Sequence, residues 1–195
     1  MTTATGEPHA TCDGRPEPLP PQCRRIHRRL LTAARCRFAE DCLAEAVSAG
    51  MRQAVLIGTG LDTFAAHNPY PDLRVWQVTR AEFDTVCAAL GFDGASPAFV
   101  VELGARRECA AALGSLHRAA ALAAGSQIVF DYPAEGAGVL AGVLRDTGFE
   151  VLEDLGAAAL ASRYLDLEVD SAHSAEPRVV RARVRHNAGR PPSSL

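Results

Sequence analysis

The chain contains no lysine; all 20 of its basic residues are arginine, set against 23 acids for a formal charge of −3. That balance gives no cationic surface of the kind nucleic acid or an anionic membrane selects. No apolar stretch approaches the roughly 18–20 residues of a membrane-spanning helix. The six cysteines (Cys12, Cys23, Cys36, Cys42, Cys87 and Cys109) form no C-x-x-C pair, so they read as reduced thiols, several of them buried as small apolar groups. His9 with Cys12 and Cys23 with His27 have a spacing that superficially suits zinc. The segment between them is short and proline-rich and nothing around it repeats, so no metal is expected. The N-terminus also lacks the basic-then-apolar layout of a signal peptide, and a cytoplasmic location is expected. The arginine and alanine bias reads as codon usage in a GC-rich bacterial genome.

What is present is centred on Gln53-Ala54-Val55-Leu56-Ile57-Gly58-Thr59-Gly60-Leu61-Asp62-Thr63-Phe64. A continuous apolar run of this length suits a strand buried on both faces, as in a parallel sheet. Gly58 and Gly60 allow a tight turn and bring backbone N–H groups close to a ligand at the start of a helix. The third glycine of the dinucleotide fingerprint is Thr63 here, which argues against NAD or FAD.

Arg35-Cys36-Arg37-Phe38-Ala39-Glu40-Asp41, the helical stretch after it, and Gln53 through Asp62-Thr63 together resemble the leucine carboxyl methyltransferase family, which includes bacterial polyketide O-methyltransferases. The likeness continues through Asn68-Pro69-Tyr70-Pro71 to Val78, and resumes at Gly91-Phe92-Asp93, at Gly125 to Tyr132 and at Gly148 to Gly156. The resemblance implies a Rossmann-like methyltransferase sheet, mostly parallel with an antiparallel last strand, and S-adenosylmethionine as cofactor.

Residues 1–21 carry five prolines and few apolar groups, and read as a disordered tail. Residues 22–186 read as one shortened methyltransferase-like domain and 187–195 as a second disordered tail. A short basic helix around Arg24 to Leu31 and a separate helix over about 36–49 are expected. Strands follow at 53–57, 73–78, 97–103, 126–130, 149–153 and 178–184, with helices at about 80–90, 106–124, 136–147 and 157–165. Alternation of this kind implies an open α/β sheet.

In such a sheet the ligand lies at the carboxyl ends of the strands. The resemblance assigns cofactor contacts to Gly58, Thr59 and Gly60, and a carboxylate-pairing role to Arg35, for which the alternative is a surface ion pair. Where the family carries E-V-D after the second strand, to hold the ribose, this chain has Gln77-Val78-Thr79. Losing a charged acceptor costs roughly 1.5–3 kcal/mol, a tenfold to 150-fold weakening, so Gln77 or Thr79 would have to take the hydroxyls. The chain then runs almost directly to Gly91, which removes the family's third strand. It is also short after Tyr132, where the family inserts a segment that roofs the substrate. The aromatic of the family's substrate pocket is replaced by Glu108. His67, Asp62, Glu102, Glu108, Asp131 and Tyr132 are the candidates for chemistry, His67 because its ordinary pKa suits proton transfer near neutrality.

Three functions compete on this reading. The first is a minimal S-adenosylmethionine-dependent O-methyltransferase acting on a small natural-product carboxylate or hydroxyl. The second is a repurposed non-methylating enzyme, of cyclase or hydrolase type, that has lost the cofactor. The third is a pseudo-methyltransferase that binds a protein partner. A missing third strand would leave Leu73–Val78 as a bare sheet edge, so a homodimer is expected, at that edge or on a face uncovered by the missing roof.

Overall fold

The computed structural model describes residues 21–89, 91–104, 114, 116–166 and 176–185. Its strands are β1 (Gln53–Ile57), β2 (Arg74–Val78), β3 (Phe99–Glu102), β4 (Gln127–Tyr132), β5 (Phe149–Leu155) and β6 (Arg178–Val184). They form one six-stranded sheet in the order β2-β1-β3-β4-β6-β5. The first four strands are mutually parallel, and β6 runs antiparallel to both β4 and β5. This is the mixed α/β sheet with an antiparallel last strand that the sequence leads one to expect. Between β2 and β3 the described residues contain a helix and no further strand, so β2 ends the sheet.

The two helices expected over residues 24–49 are one. Helix α1 runs unbroken from Pro21–Ser48, because Thr32-Ala33-Ala34 offers no breaker and alanine is the strongest helix former. Its stop is a Schellman turn. Gly50 sits at φ 104°, with its N–H on the Val47 carbonyl at 3.0 Å and the Met51 N–H on the Ala46 carbonyl at 2.9 Å. Leu31, Ala34, Phe38, Cys42 and Ala46 recur at helical spacing and are all buried, which lays this face of α1 on the sheet.

Four shorter helices follow: α2 (Asp62–Ala66), α3 (Phe83–Ala89), α4 (Ala137–Asp146) and α5 (Ala157–Leu165). A helical turn also covers residues 116–119; the first half of the helix expected at 106–124 lies outside the described residues. Strand periodicity divides the core in two. Ala54, Leu56, Phe99, Val101 and Val129 pack with α1, α2 and α5, whereas Val55, Ile57, Val100, Ile128 and Phe130 pack with α3, α4 and the 116–119 turn. Burying each such side chain is worth ~1.5–3 kcal/mol, enough to fix the register, since a one-residue slip would exchange the two faces. β4 continues directly through Pro133 and the 3-10 turn Ala134–Gly136 into α4, with no roofing insertion.

Candidate functional site

The carboxyl ends of the parallel strands converge on one region, and α1 stitches three of them together. Arg35 and Asp131, each 2% exposed, pair Nε to Oδ2 at 3.4 Å. Asp131, near the end of β4, also accepts the Gly104 N–H at 2.8 Å, which ties in the end of β3. Next along α1, the Cys36 thiol donates to the Gly60 carbonyl at 3.2 Å, tying in the turn after β1. Burial pushes the Cys36 thiol pKa up, so it stays protonated as a donor. Arg35 is thus neither on the surface nor turned outward to a ligand; its expected carboxylate partner is supplied from within, by Asp131.

The two glycines of the turn do different jobs. Gly58 has φ 81°, a conformation side chains rarely adopt, and faces open space. Its N–H is spent on the Val78 carbonyl at 2.9 Å. A Cβ on Gly60 would lie 2.8 Å from the Leu103 Cβ, so the close approach that glycine permits here is to the end of β3.

On the β1–β2 side the groups remain accessible. Gln77 donates its amide to the Asp62 carboxylate and, at 3.4 Å, to the Gly58 carbonyl. Asp62 opens α2, where a negative charge is favoured by the helix dipole. Thr79 donates its N–H at 2.8 Å and its hydroxyl at 2.7 Å to the Glu82 carboxylate. The Thr79 backbone bond, with its hydroxyl second, holds the Glu82 carboxyl below the usual range. Asp62, Gln77, Thr79 and Glu82 are all exposed, as is Thr59. On the opposite face of the sheet Arg80 pairs with the buried Glu102.

The fold therefore brings Gly58, Asp62 and Gln77 together, sets Thr79 beside Glu82, and joins Arg35 to Asp131. It separates others. Asp131 and Tyr132 are adjacent on β4 and so point to opposite faces. The Tyr132 hydroxyl donates to Asp154 at 2.7 Å and accepts from Arg178 at 3.0 Å, committed to β5 and β6. Burial, and then that bond to Asp154, push the Tyr132 pKa up to about 12. His67 closes the far end of α2, exposed, with Nδ1 3.2 Å from the Thr63 carbonyl of its own helix. Glu108 lies outside the described residues. Sequence reasoning passed over Arg80 and Glu82, yet Thr79-x-x-Glu82 ahead of α3 has the spacing of a capping box and could have been read.

A depression of about 350 Å³ opens at the other end of the sheet, bounded by Met51, Gln53, Pro97, Gln127 and Arg183. Its cations are occupied: Arg52 caps the Val47 and Met51 carbonyls and Arg183 holds Glu150. The carboxyl ends, with their exposed carboxylates, are the better site. Among the described residues no helix is long and apolar enough to cross a membrane, and no group of three metal-ligating side chains forms.

The sequence pattern of the family described as Leucine carboxyl methyltransferase matches residues 9–104. That bears out the resemblance over α1, the glycine turn, β2 and β3. The match begins within the proline-rich stretch and stops before β4. No curated protein matches the chain. Among solved structures, the protein-(glutamine-N5) methyltransferase (release factor-specific) from Alicyclobacillus acidocaldarius subsp. acidocaldarius DSM 446 is similar at 16% identity and TM-score 0.44, over 86% of this chain and 99% of that one. A functionally unknown protein from Deinococcus radiodurans R1 is similar at 14% identity and TM-score 0.36, over 68% and 80%. At these scores neither carries an argument about function.

Proposed function

We propose that this chain, whose residues 9–104 carry the leucine carboxyl methyltransferase pattern, is an S-adenosylmethionine-dependent O-methyltransferase of a small natural-product carboxylate, cytoplasmic, bacterial and homodimeric. The observation that carries the reading is the exposed cluster of acceptors at the ends of β1 and β2. Asp62 and Glu82 present carboxylates there, beside the open turn at Gly58. They stand in for the ribose acid that Gln77 and Thr79 lack, with those two side chains holding them in place. The residues fit the nucleoside end of S-adenosylmethionine in this way. They do not fit its carboxylate end in the expected manner, because Arg35 is closed against Asp131. The cofactor supplies an electrophilic methyl group when bound.

The substrate class follows from what the chain's own acids are doing. Asp131 is held by Arg35 and Glu102 by Arg80, and His67 bonds its own helix on the far side of the turn. None of these three sequence candidates is held at the strand ends with a position open to take a proton from a hydroxyl. A carboxylate needs none, being ionised near neutrality, and so is the acceptor favoured here.

The test is calorimetric titration with S-adenosylmethionine and its demethylated product. A saturable response is expected, weakened at least about tenfold in the Asp62→Asn, Glu82→Gln double variant, which removes two charged acceptors. Silence at millimolar ligand would overturn the reading. The closed Arg35–Asp131 pair is the one observation that favours a second one: a fold that has given up the methyl donor, as a cyclase- or hydrolase-type enzyme or as a binder of a protein partner.

A further inference from the structure

The outer edge of β2 is a short, regular row of hydrogen-bonding groups that nothing described covers. Within the β1–β2 ladder, Arg74 donates to the Arg52 carbonyl and the Val78 carbonyl accepts from Gly58. Alternation therefore turns the backbone groups of Arg74, Trp76 and Val78 inward to β1, and those of Val75 and Gln77 outward. Both ends of the outer row are already satisfied. The Leu73 N–H bonds the Tyr70 carbonyl, the Leu73 carbonyl accepts from Asn68 Nδ2, and the Thr79 N–H is held by Glu82. What remains is one N–H and one carbonyl on each of Val75 and Gln77.

We infer that two copies of the chain join antiparallel through this edge, about a dyad at Trp76. Only that register pairs every open group; a dyad at Val75 or at Gln77 would leave the other residue's groups unmatched. Val75 of one copy would exchange both bonds with the partner's Gln77, and Gln77 with the partner's Val75. Trp76 would face the partner's Trp76 as the non-hydrogen-bonded pair, where side chains approach closest. Trp76 is half-buried against Phe92, at 5.6 Å between ring centroids, so an aromatic surface already flanks the dyad.

The other edge of the sheet is unsuited to the same use. β5 carries an irregularity between Val151 and Glu153 and three acids, Glu150, Glu153 and Asp154, which are the usual protections of an edge. β2 has no bulge and no acid. The inference rests on the homodimer proposed above and specifies its interface; it does not depend on methyl transfer. A contact this small belongs to the weak, concentration-dependent class.

The test uses the full chain. Sedimentation equilibrium from micromolar to near-millimolar concentration should show reversible dimerisation, abolished by Val75→Pro. That substitution removes an outward N–H and no bond to β1, as edge strands tolerate. A second arm does not depend on how Val75→Pro folds. Opposed residues of a non-hydrogen-bonded pair have Cα atoms about 4.5 Å apart, within disulfide reach. Mild oxidation of Trp76→Cys should link position 76 to position 76, identified by peptide mapping, whereas Val75→Cys should not link to itself. A monomer throughout the range overturns both the dimer and its interface. A dimer that survives Val75→Pro, or that gives no link at 76, overturns the interface alone. Dimerisation that appears only after residues 1–20 are removed assigns the edge to that segment and also overturns it.

Discussion

Arg35 of α1 and Asp131 of β4 are buried against each other, Nε to Oδ2 at 3.4 Å, with each side chain 2% exposed. The pair joins the helix carrying the R-x-R motif to the fourth strand, and Asp131 passes the link on to the Gly104 N–H. Removing one member of a buried pair leaves a charge in a low-dielectric site. Asp131→Asn is expected to cost ~3–5 kcal/mol in denaturant unfolding. A loss under about 1 kcal/mol, the scale of a surface pair, would show that the pair does not hold the helix to the sheet.

The glycine turn allows a cycle with a definite sign. Gly60→Ala places a methyl 2.8 Å from the Leu103 Cβ, an overpacking expected to cost ~1–3 kcal/mol. Combining it with Leu103→Ala should cost less than the sum of the two single changes. Gly58→Ala meets no atom but must hold φ 81°, costing ~1–2 kcal/mol, and Leu103→Ala should not relieve it. Four unfolding curves for each glycine decide the matter, and strict additivity at Gly60 would rule out the contact.

Stability at alkaline pH should depend on Tyr132. Its folded pKa is raised from 10.0 to about 12 by burial and the bond to Asp154. The protonated phenol is therefore favoured by folding. Its contribution is complete below pH 10 and lost as pH rises from about 10 through about 12. Tyr132→Phe should flatten the fall in stability across that window and remove one late tyrosinate transition from the ultraviolet titration. Loss of a transition near the ordinary 10.0, instead of a late one, would place the phenol in solvent.

His67 is expected to be dispensable. It is exposed, and its ring Nδ1 bonds the Thr63 carbonyl of its own helix. His67→Ala should change stability by no more than about 0.5 kcal/mol and leave cofactor affinity and turnover as they were. A turnover loss with stability intact would restore it as the proton acceptor.

Thiol labelling separates the cysteines by packing. Cys23 is exposed and Cys42 buried, and burial pushes the Cys42 pKa up to about 12. Only the thiolate is alkylated. Cys23 should therefore react in the native protein and Cys42 only on unfolding; simultaneous labelling would contradict the packing of α1 on the sheet.

Local pattern placed the strands, and the family resemblance supplied the antiparallel last one. Apolar runs such as Val55-Leu56-Ile57 and Val129-Phe130 had to be strands buried on both faces, and helical periods between them forced parallel crossovers. The stop of α1 at Gly50 was written in the same way, as was the short span between β2 and β3. Side-chain partnership was not local, because it depends on which strand ends meet. Tyr132 looked like a neighbour of Asp131 along the chain, yet strand alternation turned it to the opposite face and to Asp154, 22 residues away. Arg35 had the motif of a ligand-binding arginine, and only the placement of β4 beneath α1 supplied the carboxylate that claims it. The same holds for Gly60, whose neighbour Leu103 follows the end of β3. Residue types fix what each group can do; long-range packing decided which of them remain unspent.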